Sequence, residues 1–344
     1  MARRHRQSDS SRQIAYLPPA TQLTTTLGAL HARLKLTRPY ARLLAALLRL
    51  GLTPRSAVIA VPYLWLLLFF LAPFFIVLKL SFSRVMIAMP PYEPLLSWLE
   101  SGALKLNVHL TNYLRLFTDN LYVLSYLNSL KIAALATAIT LLVGYPIAYA
   151  IARAPGRWRG LLLTLVILPF WTSFLIRVYA WIGILKNEGL LNALLLKLGV
   201  ISSPLVILNT DIAVYIGIVY SYLPFMILPL YANLEKMDLS LLEAASDLGC
   251  RPGRAFWKVT VPLSLPGVIA GCFLVFIPAV GEFVIPDLLG GSNTIMIGKT
   301  LWTEFFNNRD WPLSSAVAVI LLVLLIVPIV LFQRQQERAG RQAA

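Results

Sequence analysis

"LLEAASDLGCRPGRAFWKVTVPLSLPG", from Leu241 to Gly267, decides how the rest of the chain is read. It has mixed charge and the pattern of a short water-facing helix, yet it lies between apolar runs long enough to cross a bilayer. The whole chain of 344 residues is 58% hydrophobic and only 13% charged, with mean hydropathy +0.74. Soluble domains hold about 45–50% apolar and about 25% charged residues, so this composition belongs to a membrane protein. A spanning helix needs about 20 mostly apolar residues, and six stretches qualify: 57–81, 132–152, 160–185, 212–234, 263–285 and 314–332. They read as helices, because barrel strands alternate in polarity over about 10 residues. The first run is too long and too far from the N-terminus for a cleaved signal peptide. The expected fold is an all-α integral membrane protein with six transmembrane helices.

A net charge of +15 could point to nucleic acid, but its placement argues otherwise. Residues 1–56 hold ten Lys/Arg against one acid, Asp9; Arg153, Arg157 and Arg159 crowd one short loop; Arg334, Arg338 and Arg341 mark the tail. This is the positive-inside pattern of a chain with both termini cytoplasmic, and anionic lipid headgroups account for the excess. The expected divisions are a basic cytoplasmic tail over 1–56, a membrane domain over 57–332 with a cytoplasmic loop at 235–262, and a C-terminal tail over 333–344. Within the first tail, "YARLLAALLRLGL" (Tyr40–Leu52) is a basic amphipathic stretch suited to the inner membrane face. Cys250 and Cys272 fall in the loop and in the fifth crossing, too far apart in topology to form a disulfide.

The opening stretch lies in that cytoplasmic loop. Ser240 followed by Glu243 has capping-box spacing, so a helix is expected to start at Ser240. Gly249 can take the left-handed geometry that closes it. Pro252 suits the first turn of a second short helix, "PGRAFWKV", expected to stop at Pro262 before the next crossing. Ala244 and Ala245 permit close approach, and Leu242, Leu248 and Phe256 have no core of their own in so short a loop. A surface of this kind is built to be covered by another protein.

The order Glu243, Ala244, Ala245, three residues, Gly249, nine residues, Val259, one residue, Val261, Pro262 resembles the EAA signature of ABC importer permeases, with valine at both aliphatic positions. The blocks "LPFWTSFLIRVYAWIGIL" (Leu168–Leu185), "FIPAVGEFVIPDLLGG" (Phe276–Gly291) and "WTEFFNNRDWP" (Trp302–Pro312) resemble the polyamine branch of that family, the PotH-type putrescine permeases in particular. The resemblance implies a type I importer (MetI-like) fold in the bacterial inner membrane. It also implies that the loop is a coupling helix docking on a cytoplasmic ATPase dimer that binds ATP and Mg. A second, homologous permease and a periplasmic polyamine-binding protein complete the implied assembly.

The chain's own residues exclude other chemistries. It lacks a phosphate-cradling G-x-x-x-x-G-K-[ST] loop, so any ATP is bound and hydrolysed by another chain. His5, His31 and His109 lie outside the six apolar runs, leaving no histidine base there and no metal-ligand cluster. No catalytic residue, metal or cofactor is expected in this chain. An ion-coupled carrier would show internal repeats and several intramembrane acids; one acid, Glu282, stands out. Such residues mark a substrate pathway or a paired charge, and the alternatives for Glu282 are contact with a passing diamine or permanent pairing with Arg177. Asp287 is placed near the outer mouth. Trp171 and Tyr179 on the third crossing, and Tyr215 and Tyr222 with Met226 on the fourth, are candidates for cation–π contact with a polyamine or for helix packing.

Overall fold

The computed structural model describes residues 54–98 and 104–343. The stretch Tyr40–Leu52 and most of the basic tail lie outside the described residues. The described residues up to Phe75 and those from Ile76 onward fall into two units. α1 (Pro54–Leu66) lies in the first and passes through a π turn (Leu67–Leu71) into α2 (Ala72–Ser81), within which the division falls. The π turn has a local cause. Pro73 has no N–H and its ring crowds the carbonyl of Phe69, so the backbone widens just before it and the Ala72 amide bonds Leu67 instead.

From Ile76 onward the described residues are mostly helical, with one antiparallel strand pair, β1 (Leu96–Trp98) and β2 (Leu104–Leu106), in register Leu96 to Leu106, and a bridge between Val85 and Tyr92. The helices are α3 (Thr111–Thr118), α4 (Asn120–Arg153), α5 (Gly156–Ile167), α6 (Phe174–Leu185), α7 (Leu190–Lys197) and α8 (Asp211–Glu235). They are followed by α9 (Ser240–Asp247), α10 (Pro252–Ala255), α11 (Val261–Val280), α12 (Val284–Leu288), α13 (Ile297–Trp302) and α14 (Trp311–Ala343). Among the described residues four helical runs are long and apolar enough to cross a bilayer: 58–81, 120–153, 211–235 and 252–280. The segments 156–171 and 174–197 make a fifth if counted as one broken span, bent by 90°. The expected sixth crossing falls in α14, whose part Trp311–Ile326 is a shorter apolar helix.

Two expected boundaries give way to proline and glycine chemistry. The run 160–185 is not one helix: after α5 comes a 3₁₀ turn at Leu168–Trp171, then extended backbone at Thr172 and Ser173. Pro169 supplies no amide to continue the ladder. The run 263–285 also breaks, since α11 ends at Val280 and Gly281 caps it, leaving Glu282 outside regular helix.

α8 packs against both α4 and α11, and α11 against α4, so these three form the centre of this unit. Their facing surfaces carry small residues. Met226 is fully buried with Gly144 on one side and Gly271 on the other, where an added Cβ would come within 3.0 Å and 2.7 Å of its side chain. Without a hydrophobic drive between helices in lipid, such close approach supplies the packing attraction. Of the two roles open to Met226 in the sequence, contact with a polyamine or helix packing, the structure shows packing. A second cluster gathers Ala133, Ala136, Val178, Ile218, Val280 and Ile285, which ties the lower-order segments α6 and α12 to the central helices.

Candidate functional site

A cavity of about 410 Å³ opens where the two broken segments meet α8. Phe170, Phe174 and Arg177 reach it from the 3₁₀ turn and α6, Ser221, Tyr222 and Phe225 from α8, and Pro278, Gly281 and Glu282 from the end of α11. The two breaks that end the expected helices early are therefore what bring these side chains together. Unwound backbone is tolerated at membrane depth only where it is buried in protein or lines a cavity, and this is the latter case.

Glu282 is only 8% exposed. Its carboxylate accepts a hydrogen bond from the Tyr222 hydroxyl on one oxygen, at 2.5 Å, and from the Val284 amide on the other, at 3.1 Å. The second bond satisfies a free amide at the start of α12 and fixes the side chain's direction. α13 holds the same turn from behind, because a Cβ at Gly298 would overlap the carbonyl oxygens of Gly281 and Glu282. Arg177 does not pair with Glu282. Ion pairs among the described residues join Arg115 to Asp310, Arg159 to Glu235 and Lys299 to Asp287, and the His109 ring lies 3.7 Å from the Glu93 carboxylate. The Arg177 guanidinium lies instead over the rings of Phe170 and Phe174, 4.8 Å and 5.7 Å from their centroids. The permanent Arg177–Glu282 pair considered from sequence is not formed.

Of the candidate pathway residues, Glu282 and Tyr222 meet in this cavity. Tyr215 lines a different, apolar recess with Trp181 and Tyr220. Trp171 and Tyr179 are exposed and line neither. Asp287 is exposed and sits 3.4 Å from Lys299. Sequence reasoning missed Phe170, Phe174, Ser221 and Phe225; the helix break between Phe170 and Phe174 leaves no regular spacing that marks them. It also assigned nothing to Glu304, a second buried acid, which accepts from the Tyr122 hydroxyl at 2.7 Å and the Asn308 amide at 2.9 Å. Just beyond it, burial holds the Asp310 carboxyl above its usual range, with the Leu313 amide and Arg115 opposing that shift.

The loop between α8 and α11 is a second candidate surface. α9 covers Ser240–Asp247, but Ser240 is not its cap. Leu239 is already in helical geometry, which places Ser240 inside the first turn, and the Asp238 carboxylate accepts the Ser240 amide at 3.0 Å. That hydrogen bonding holds the Asp238 carboxyl below its usual range, and a negative group suits the positive end of a helix. At the other end Gly249 has φ of 75°, and the amides of Gly249 and Cys250 bond the carbonyls of Ser246 and Ala245 at 2.8 and 2.9 Å. Those two bonds are the Schellman arrangement.

The second short helix does not stop at Pro262. α10 runs through a π turn (Phe256–Thr260) into α11, giving one helical run over 252–280, because the π turn before Pro262 accommodates the ring as it does before Pro73. Glu243, Ala244 and Leu248 are exposed, Leu248 at 88%, while Leu242 and Ala245 are half-buried. Phe256 faces inward, edge-on to Tyr145 and Tyr149 at 5.8 and 5.5 Å, and so anchors the loop to α4. Its neighbour Trp257 is 70% exposed, and Leu239 and Leu241 are exposed as well.

Residues 144–342 match the family described as binding-protein-dependent transport system inner membrane component. The spermidine/putrescine transport system permease protein PotB of Haemophilus influenzae is 42% identical over 284 residues, 83% of this chain and 94% of that protein. PotB of Escherichia coli is 41% identical over 270 residues, covering 78% and 93%. A crystal structure of a bacterial ABC transporter involved in alginate import superposes with a TM-score of 0.63 at 16% identity over 87% of this chain and 99% of that one, a likeness of fold.

Proposed function

The chain belongs to the binding-protein-dependent transport system inner membrane components, and from that membership we propose that it is the permease through which an ATP-driven importer passes a linear polyamine, spermidine as well as putrescine. It is an inner-membrane transport subunit of the polyamine branch of ABC importer permeases and not an enzyme. The observation that carries the substrate is the cavity in which a buried carboxylate, Glu282, stands with Tyr222 and Phe225, two cavity rings that Arg177 does not cover. An ammonium group is held by a carboxylate and by ring faces, each cation–π contact contributing about 0.5–2 kcal/mol. The methylene chain between amines is matched by the same rings.

In this reading both basic termini are cytoplasmic and the α9 loop couples the cavity to an ATPase dimer. Leu242, Glu243, Ala244, Ala245 and Leu248 form the docking face, Gly249 sets its angle, and Phe256 transmits the movement to α4. A periplasmic binding protein delivers the polyamine, and a second permease completes the translocation path. The sequence blocks favour the putrescine type, and the relatives' names favour both polyamines, so the two are tested side by side. Labelled spermidine and putrescine uptake is measured in proteoliposomes holding the complete complex, with an ATPase-inactive control. ATP-dependent accumulation of a polyamine is the expected result, and accumulation of neither rejects the substrate assignment.

A further inference from the structure

Arg177 is a poor fit to a purely structural role. It lies in the first turn of α6, where a cation opposes the helix dipole. Its Nε and Nη1 are buried and have no hydrogen-bond partner, although a guanidinium carries five donors. The rings of Phe170 and Phe174 support its face but satisfy none of those donors. The carboxylate that could satisfy them lines the same cavity and is engaged elsewhere, by Tyr222 and the Val284 amide. A long, flexible arginine parked on two rings, within a cavity whose one acid is held only by neutral donors, has two resting places.

We propose that Arg177 is a tethered cation that competes with the transported ammonium for Glu282: it rests on Phe170 and Phe174 while substrate holds the carboxylate, and swings onto the carboxylate to expel it. The inference rests on the polyamine reading of the cavity. With Arg177 and Glu282 both charged, the cavity is neutral when empty and gains a net positive charge when an ammonium enters, which keeps binding loose enough for release. Arg177 is thus a residue that sets the balance between holding and releasing, without being required for holding.

The test uses the assembled complex with its binding protein. Equilibrium binding of labelled putrescine and spermidine to the detergent-solubilised complex is compared with the uptake rate in proteoliposomes at saturating loaded binding protein. Arg177→Gln removes the competitor, so binding tightens by about tenfold, the scale of one neighbouring like charge, while uptake slows. The double variant F170L/F174L takes away the parking place and leaves the competitor, so binding weakens several-fold. An anchoring role alone predicts neither opposite shift; unchanged binding in either variant that assembles overturns the proposal, and F170L/F174L decides it if Arg177→Gln does not assemble. A wild-type complex that neither binds nor imports a polyamine rejects the substrate reading itself, whereas wild-type binding with no shift in the variants rejects this inference alone.

Discussion

Replacing Glu282 with glutamine separates charge from shape at the centre of the cavity. The substituted side chain keeps an oxygen that can accept the Val284 amide, now made at 3.1 Å, so the start of α12 stays capped. The new NH₂ faces the Tyr222 hydroxyl, which can rotate from donating to accepting. The fold therefore loses little, and the complex should reach the membrane at its normal level. What disappears is the charge that meets an ammonium. A hydrogen bond to a charged group is worth about 1.5–3 kcal/mol, and each 1.4 kcal/mol is about tenfold in affinity, so polyamine binding should weaken by roughly 10- to 150-fold. The assay is equilibrium binding of labelled spermidine to the solubilised complex, with uptake and membrane abundance measured in parallel. Binding within twofold of the wild type, at normal abundance, would refute the reasoning, because a carboxylate 8% exposed cannot contact the ammonium and be neutralised without effect.

Gly249→Val forces a β-branched residue into a left-handed conformation at φ of 75°, at a cost of about 1–3 kcal/mol; co-purification of the ATPase should fall while the permease still inserts, and undiminished co-purification would remove the coupling assignment. Gly298→Ala places a methyl group against the Gly281 and Glu282 carbonyls, a strain of about 1–3 kcal/mol. Thermal stability of the solubilised complex and its polyamine binding should therefore drop together, and loss of neither would show that the turn is not held from behind.

Several parts of this architecture can be read directly from residue types. The apolar runs at 57–81 and 212–234 locate helices closely, because each is bounded by polar residues and its internal prolines are absorbed. Gly249 was readable as a helix end because the left-handed conformation there favours glycine. The capping-box spacing at Ser240 and Glu243 misled, since Asp238, two residues upstream, competes for the same helix end. The breaks at Thr172 and after Val280 were not readable, as the short interruptions there, Thr172–Ser173 and Gly281–Glu282, lie inside runs that stay apolar on average over the length of a bilayer crossing. Those breaks make the cavity, so its residues were found only in part: Glu282 and Tyr222 stand out by type, whereas Phe170, Phe174 and Phe225 resemble any lipid-facing aromatic until the bend turns them inward. Proline also acted in two ways, ending α5 before Pro169 but being carried through π turns at Pro73 and Pro262, a difference that local sequence does not encode.

The central claim is that energy reaches this permease from a partner ATPase through the α9 loop, since the chain itself has no phosphate-binding loop. The most direct measurement is polyamine accumulation in proteoliposomes containing the chain, its partner permease, the ATPase dimer and loaded binding protein, with an ionophore present to collapse every ion gradient. The account predicts accumulation that persists under the ionophore and vanishes when ATP or the binding protein is withheld. Accumulation driven by an imposed ion gradient, by this chain without the ATPase, would contradict it.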